Sequence, residues 1–220
     1  IIKDKYSFGI PEFLARYEGL HIICFGADDI KTVHARATRD GIAASDIVRV
    51  ERNVDTLQGE RMMQADSIHF PKAENPEGLV QVAQHLTREY VLQPRYMNHR
   101  IGAVSLAEVI VCVEAPEIVQ AKYERYTGRR AERRGQTRVV ELPYSRLTIV
   151  GPDELGRVLP GCKAPSIPCM AGFTVASRDL AATRRVLKEG RIPVGEHEGR
   201  LIVPPEHACG SAVVFESWRG

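Results

Sequence analysis

Apolar positions along this chain follow two rhythms, and the change from one to the other occurs three times. Residues 19–25, 106–113 and 171–176 alternate loosely, with the period of two that suits a half-buried strand. Each run ends at an acidic or proline-bearing corner: Asp28-Asp29, Glu114-Ala115-Pro116 and Ser177-Arg178-Asp179. The apolar spacing then lengthens to three and four. Ile30, Val33 and Ala37 share one helix face, then Val119, Tyr123 and Tyr126, then Leu180, Thr183 and Leu187 with Val186 beside them. Asp28 or Asp29 caps the first helix, Pro116 opens the second and Asp179 the third. Gly41, Gly128 and Gly190 mark the stops.

More short apolar runs follow each helix. They predict strands at 45–52, 62–70 and 79–86 after the first, 138–142 and 146–150 after the second, and 200–203 and 211–216 after the third. The unit is therefore βαβββ, used three times. Residues 87–103 read as a polar connection and the proline-rich 160–168 as a linker. The segment 151–156 (Gly-Pro-Asp-Glu-Leu-Gly) lacks the lysine and spacing of a phosphate loop, and its proline suits a turn. The expected fold class is α+β: tandem βαβββ modules pairing into cupped, curved, mixed β-sheets with helices outside. Module bounds fall at 1–95, 96–160 and 161–220, the third paired with the second.

Composition narrows the function classes. A net charge of +2 leaves no broad electrostatic footprint for nucleic acid or an anionic membrane. The one dense basic run, 129–134, reads as a solvated strand edge. No apolar run approaches membrane-spanning length. Five cysteines, odd in number and without CxxC spacing, favour a reduced, cytoplasmic setting. Cys24 and Cys112 sit in apolar strands and read as small buried hydrophobes, whereas the proline-rich stretch leaves Cys162 and Cys169 open to exposure.

The repeat resembles the vicinal oxygen chelate superfamily, the glyoxalase and bleomycin-resistance relatives. The likeness rests on His21 seven positions before Asp28, Glu108 before Ala115 and Gly172 before Asp179. The turn Asn75-Pro76-Glu77-Gly78, with Gln81 near the place of the usual Glu, is similar too. Gln84-His85-Leu86-Thr87 and Asn98-His99-Arg100-Ile101-Gly102-Ala103 resemble a glyoxalase-like subgroup. The resemblance implies that modules pair and that metal ligands come from the first and last strands of the paired modules. Three modules leave one unpaired. The expectation is a further module before Ile1, with Ile1-Ile2 as the tail of its last strand; the alternative is a swapped homodimer.

On that resemblance His21 holds a ligand position. Gln81 and His85, an even number of residues apart, lie on one face of the last strand of the same module, and His21 with either would supply half of a site for a divalent ion (Zn, Fe, Mn or Ni), the other half coming from the module expected before Ile1. Glu108 holds the equivalent place in the second module, but Gly172 opposite offers no side chain, so a metal there is not expected. Glu108 reads instead as a buried carboxylate paired with an arginine, or as a cleft residue. His69, alternating with Ser67 on one strand face, and His99 in the connection are the other candidates for contact with substrate. The expected function is a metal-dependent glyoxalase-like enzyme (isomerase, lyase or dioxygenase) on a small oxygen-rich substrate. A metal-free binding module of the same fold is the alternative.

Overall fold

The structure is a computed structural model in which residues 10–219 are described. The expected reading of Ile1-Ile2 as a strand lies outside those residues. The described residues divide into two compact units: one comprises residues 22–98, and the other comprises residues 10–21 together with 99–219.

The smaller unit is one βαβββ module. It contains β1 (Ile22–Gly26), α2 (Ile30–Arg39), β2 (Val48–Thr56), β3 (Gly59–His69) and β4 (Leu79–His85). Its sheet runs β1-β4-β3-β2, with β1 parallel to β4 and the other pairs antiparallel. Asp29, not Asp28, caps α2 through Lys31 N–H, and Gly41 takes the left-handed position after it. Gln84 on β4 ties the helix down, accepting from Ile30 N–H and donating to the Asp28 carbonyl. Ile23, Val80, Val82 and Ile68 share Gln84's face and are almost fully buried there. The connection after β4 is not featureless, since it folds into two single-turn helices, α3 (Arg88–Val91) and α4 (Pro94–Met97).

The larger unit starts with α1 (Ile10–Leu14) and holds two modules. The first has β5 (Ala103–Cys112), α5 (Pro116–Thr127), β6 (Ala131–Arg134), β7 (Thr137–Glu141) and β8 (Arg146–Val150). The second has β9 (Cys169–Ser177), α7 (Leu180–Glu189), β10 (Gly195–His197), β11 (Arg200–Val203) and β12 (Ala212–Ser217). Antiparallel pairing of β5 with β9 fuses them into one eight-stranded sheet, β10-β11-β12-β9-β5-β8-β7-β6. The fold is thus the expected α+β arrangement of βαβββ units. The basic run ends on β6, an edge strand that carries Glu132, Arg133 and Arg134, where exposed charge deters further pairing.

Three local expectations change. Pro152 does not make a turn but opens a helix, α6 (Pro152–Val158). Proline at the first helical position loses no hydrogen bond, and Asp153 and Glu154 complement the dipole. The stretch 160–168 connects α6 to the next strand, but Cys162 and Cys169 are buried rather than open to exposure, as is Leu159. They join Tyr17, Leu155, Ile110, Cys112, Val150 and Val214 in an apolar cluster that covers much of one sheet face. A second cluster around Leu187, Leu201, Val203 and Phe215 lies under α7 on the other face. Finally, Gly190 stays right-handed and Arg191 takes the positive φ that ends α7.

Gly172 shows why the third module has no side chain at its inward position. A Cβ there would sit 2.6 Å from the Ala212 carbonyl oxygen and 3.0 Å from its Cβ, so β9 and β12 can approach only with glycine. Gly172→Ala should destabilise the protein by about 1–3 kcal/mol in urea unfolding. Gly26→Ala, which meets nothing within 4 Å, should stay within about 0.5 kcal/mol of wild type.

Candidate functional site

Polar side chains gather in two places, one in each unit. In the smaller unit, strand register puts Cys24 beside Gln81 and Gln81 beside His69, three neighbours across β1, β4 and β3. Directly paired residues share a face, so all three project away from the Ile23 and Val82 side. Ser67, two residues before His69, is buried on the same face and lies 3.2 Å from His69 Nε2 through its hydroxyl. Exposed Ile22, Val48 and Val50 flank the row, giving an apolar surround to a short polar strip. Partial burial lowers the pKa of His69, so its ring is neutral near pH 7. Desolvation raises the Cys24 thiol while a hydrogen bond with Gln81 opposes the shift, so the residue, although exposed, is not an activated thiolate.

The larger unit holds the other cluster. Glu108, 3% exposed, lies on β5 with three partners from two neighbouring strands. Arg146 Nη2 on β8 donates to its Oε2 at 3.0 Å, Thr174 Oγ1 on β9 to the same oxygen at 2.8 Å, and the Thr148 hydroxyl to Oε1. Arg146 also donates to both oxygens of Glu216 on β12, at 2.8 and 3.2 Å. Burial works against the Arg146 charge, but Glu216 and Glu108 outweigh it and raise the guanidinium pKa further. The expected pairing of Glu108 with an arginine is what the structure contains.

The remaining candidates fall apart from these clusters. Gln81 and His85 do share a face of β4, but four residues of strand separate them by about 13 Å, beyond joint reach of one ion. His85 and His99 are both exposed. His21 belongs to the larger unit, just before β1, whereas Gln81 and His85 belong to the smaller. Its ring stacks on Phe13 and tilts against Tyr17. Nε2 lies 3.0 Å from the Tyr17 carbonyl, which can only accept, so the proton sits on Nε2 and the lone pair on Nδ1. Nδ1 is buried and has no hydrogen-bond partner. A ring nitrogen oriented by a backbone carbonyl is the form in which histidine binds metals, so His21 offers one suitable donor. It does not have company: among the described residues no group of three or more His, Cys, Asp or Glu could hold a metal ion. The residues present therefore do not fit a complete divalent site.

Sequence reasoning missed Cys24, Thr148 and Thr174. Cys24 lies on the less covered face of an edge strand, and only the register of β1 with β4 reveals that. The signal for the threonines was present: a hydroxyl in the middle of an apolar strand needs a partner.

A family model described as a glyoxalase-like domain matches residues 3–127, more than half of the chain. The chain belongs to the glyoxalase-like domain family. Its fold is the βαβββ fold of glyoxalase-like domains. Among solved structures it is similar to a hypothetical protein from Staphylococcus aureus, at TM-score 0.65 and 12% identity over 99% of this chain and 74% of that one. It is similar to homoprotocatechuate 2,3-dioxygenase from Arthrobacter globiformis, at TM-score 0.54 and 12% identity over 90% of this chain and 61% of that one. Methylmalonyl-CoA epimerase from Mycobacterium tuberculosis aligns at TM-score 0.44 and 16% identity over 57% of this chain and 95% of that one. At these identities the likeness concerns the fold alone. No curated protein matches the sequence. No helix among the described residues of this glyoxalase-like protein is long and apolar enough to cross a membrane.

Two measurements check the site electrostatics. The His69 ring should titrate by NMR at a lower pH than a peptide histidine. As pH falls, the unfolded chain takes up this proton first, so the His69 contribution to stability should be lost between the unfolded and folded pKa values. Arg146→Met should cost about 3–5 kcal/mol in chemical denaturation, because it strands the buried Glu108 charge. The double variant with Glu108→Gln should recover much of that loss.

Proposed function

We propose that this glyoxalase-like protein acts on a small oxygen-bearing molecule held on the face of the smaller unit that carries Cys24, Gln81, His69 and Ser67. The observation that carries the reading is the row of three polar side chains in register across β1, β4 and β3. A hydroxyl or carbonyl oxygen lying over this row would meet the Gln81 amide as donor and the His69 imidazole beside it. His69, neutral near pH 7, is the group able to take a proton from a carbon or hydroxyl next to such an oxygen and return it to a neighbouring atom. Ser67 orients the ring by hydrogen-bonding Nε2. Ile22, Val48 and Val50 supply apolar contact for the carbon skeleton. Isomerase or lyase chemistry fits this set of groups. No step is routed through a metal, because the described residues do not make up a ligand set. That incomplete set also favours the second reading, a metal-free module that binds the same kind of molecule without turning it over.

The test is a thermal-shift panel of hydroxy acids, keto acids and catechols on the complete protein, with product analysis of every hit. At least one compound should stabilise the wild type, by about 2.7 kcal/mol at a hundredfold excess over its Kd. His69→Ala and Gln81→Ala should weaken that compound at least about tenfold. Turnover lost in His69→Ala supports the enzyme, and binding without turnover supports the sequestering module. A panel with no hit, or hits that ignore both substitutions, contradicts the assignment.

A further inference from the structure

The charge cluster of the larger unit draws on four strands: Glu108 on β5, Arg146 and Thr148 on β8, Thr174 on β9 and Glu216 on β12. These are the first and last strands of both paired modules, the strands from which the resemblance drew metal ligands. At the centre one nitrogen, Arg146 Nη2, lies 3.0 Å from Glu108 and 2.8 Å from Glu216. We infer that the Arg146 guanidinium occupies the cation position of this unit, so that the paired modules close around a positive charge supplied by the chain itself.

Three observations carry the inference. Glu108 is too buried to remain charged without a partner, and among the described residues Arg146 is its cationic contact, which makes the pair a requirement of the fold rather than a surface accident. Three of the four lone pairs of Glu108 are already used: Oε2 accepts from Arg146 and Thr174, and Oε1 accepts from Thr148. The bonds to Glu216 and Glu108 also hold the guanidinium in its charged form, so it does not vacate the site by losing a proton. Two carboxylates against one guanidinium leave the cluster one negative charge in excess, which suits Arg146 as a resident and does not invite an anion. The cluster joins the modules directly, since Glu216 of one module is bonded to Arg146 of the other and Thr174 to Glu108 across the β5–β9 seam.

The inference concerns a different unit from the proposed substrate face and stands or falls separately from it. Its test uses Mn²⁺ as the probe on the complete protein. Glu216→Gln, a conservative change at the more exposed end of the cluster, should leave the metal content of purified protein and its Mn²⁺ electron-resonance titration unchanged. Arg146→Ala uncovers two carboxylates and should bind Mn²⁺ at least about tenfold more tightly than wild type. That gain should vanish when Glu108→Gln is added. Arg146→Lys, which keeps a cation in place, should behave as wild type. A folded Arg146→Ala protein with the Mn²⁺ response of wild type overturns the inference. Should Arg146→Ala fail to fold, Glu216→Gln decides: unchanged metal supports the inference, and loss of metal overturns it.

Discussion

A carboxylate with almost no contact with water has to be neutralised by its neighbours, and Glu108 imposes that demand on the larger unit. Meeting it fixes the register of β5 against both β8 and β9, because Arg146 and Thr174 are the residues directly opposite Glu108 in the two ladders. A slip of one residue in either pairing would turn the partner to the other face. The cluster thus specifies how two βαβββ modules join, while the apolar packing around Ile110, Leu155 and Leu159 buries hydrophobic surface beside it. On the same face, α6 and the segment following it fill the space that an open cleft would need.

The smaller unit meets different demands. Its sheet has one well-buried face, where Gln84 fastens α2 to β4, and another that carries a polar strip between exposed apolar residues. Exposed valine and isoleucine beside a histidine, an amide and a thiol match the general pattern of small-molecule sites, in which apolar contact gives affinity and a few polar groups give orientation. The βαβββ modules of the two units share a strand order and differ in what the corresponding strands carry.

Periodicity made the repeat legible. The three strand-to-helix corners and the βαβββ order needed only the change of apolar spacing near residues 28, 116 and 179. Two helix stops were legible as well, since Gly41 and Gly128 take the left-handed conformation that favours glycine. Proline was harder to interpret: at 152 it starts a helix, and between 160 and 168 it borders buried core, because proline restricts φ without saying which side of the chain is covered. The site was legible only in part. His69 with Ser67, and Glu108 with an arginine, follow from alternation and from the cost of buried charge. Cys24, Thr148 and Thr174 depend on which strands lie side by side, and a single sequence carries no record of that pairing. Of the two acidic residues offered as the cap of α2, Asp29 is the one that caps, so that counting seven positions back from it reaches Ile22 rather than His21.

The most direct test of the division between the two units is amide chemical-shift mapping of the complete protein, titrated with the tightest compound from the substrate panel. The account predicts that shifts concentrate at Cys24, Ser67, His69 and Gln81 and leave Glu108, Thr148, Thr174 and Glu216 unmoved. Shifts centred on the Glu108 cluster, with the β1–β4–β3 row silent, would contradict it.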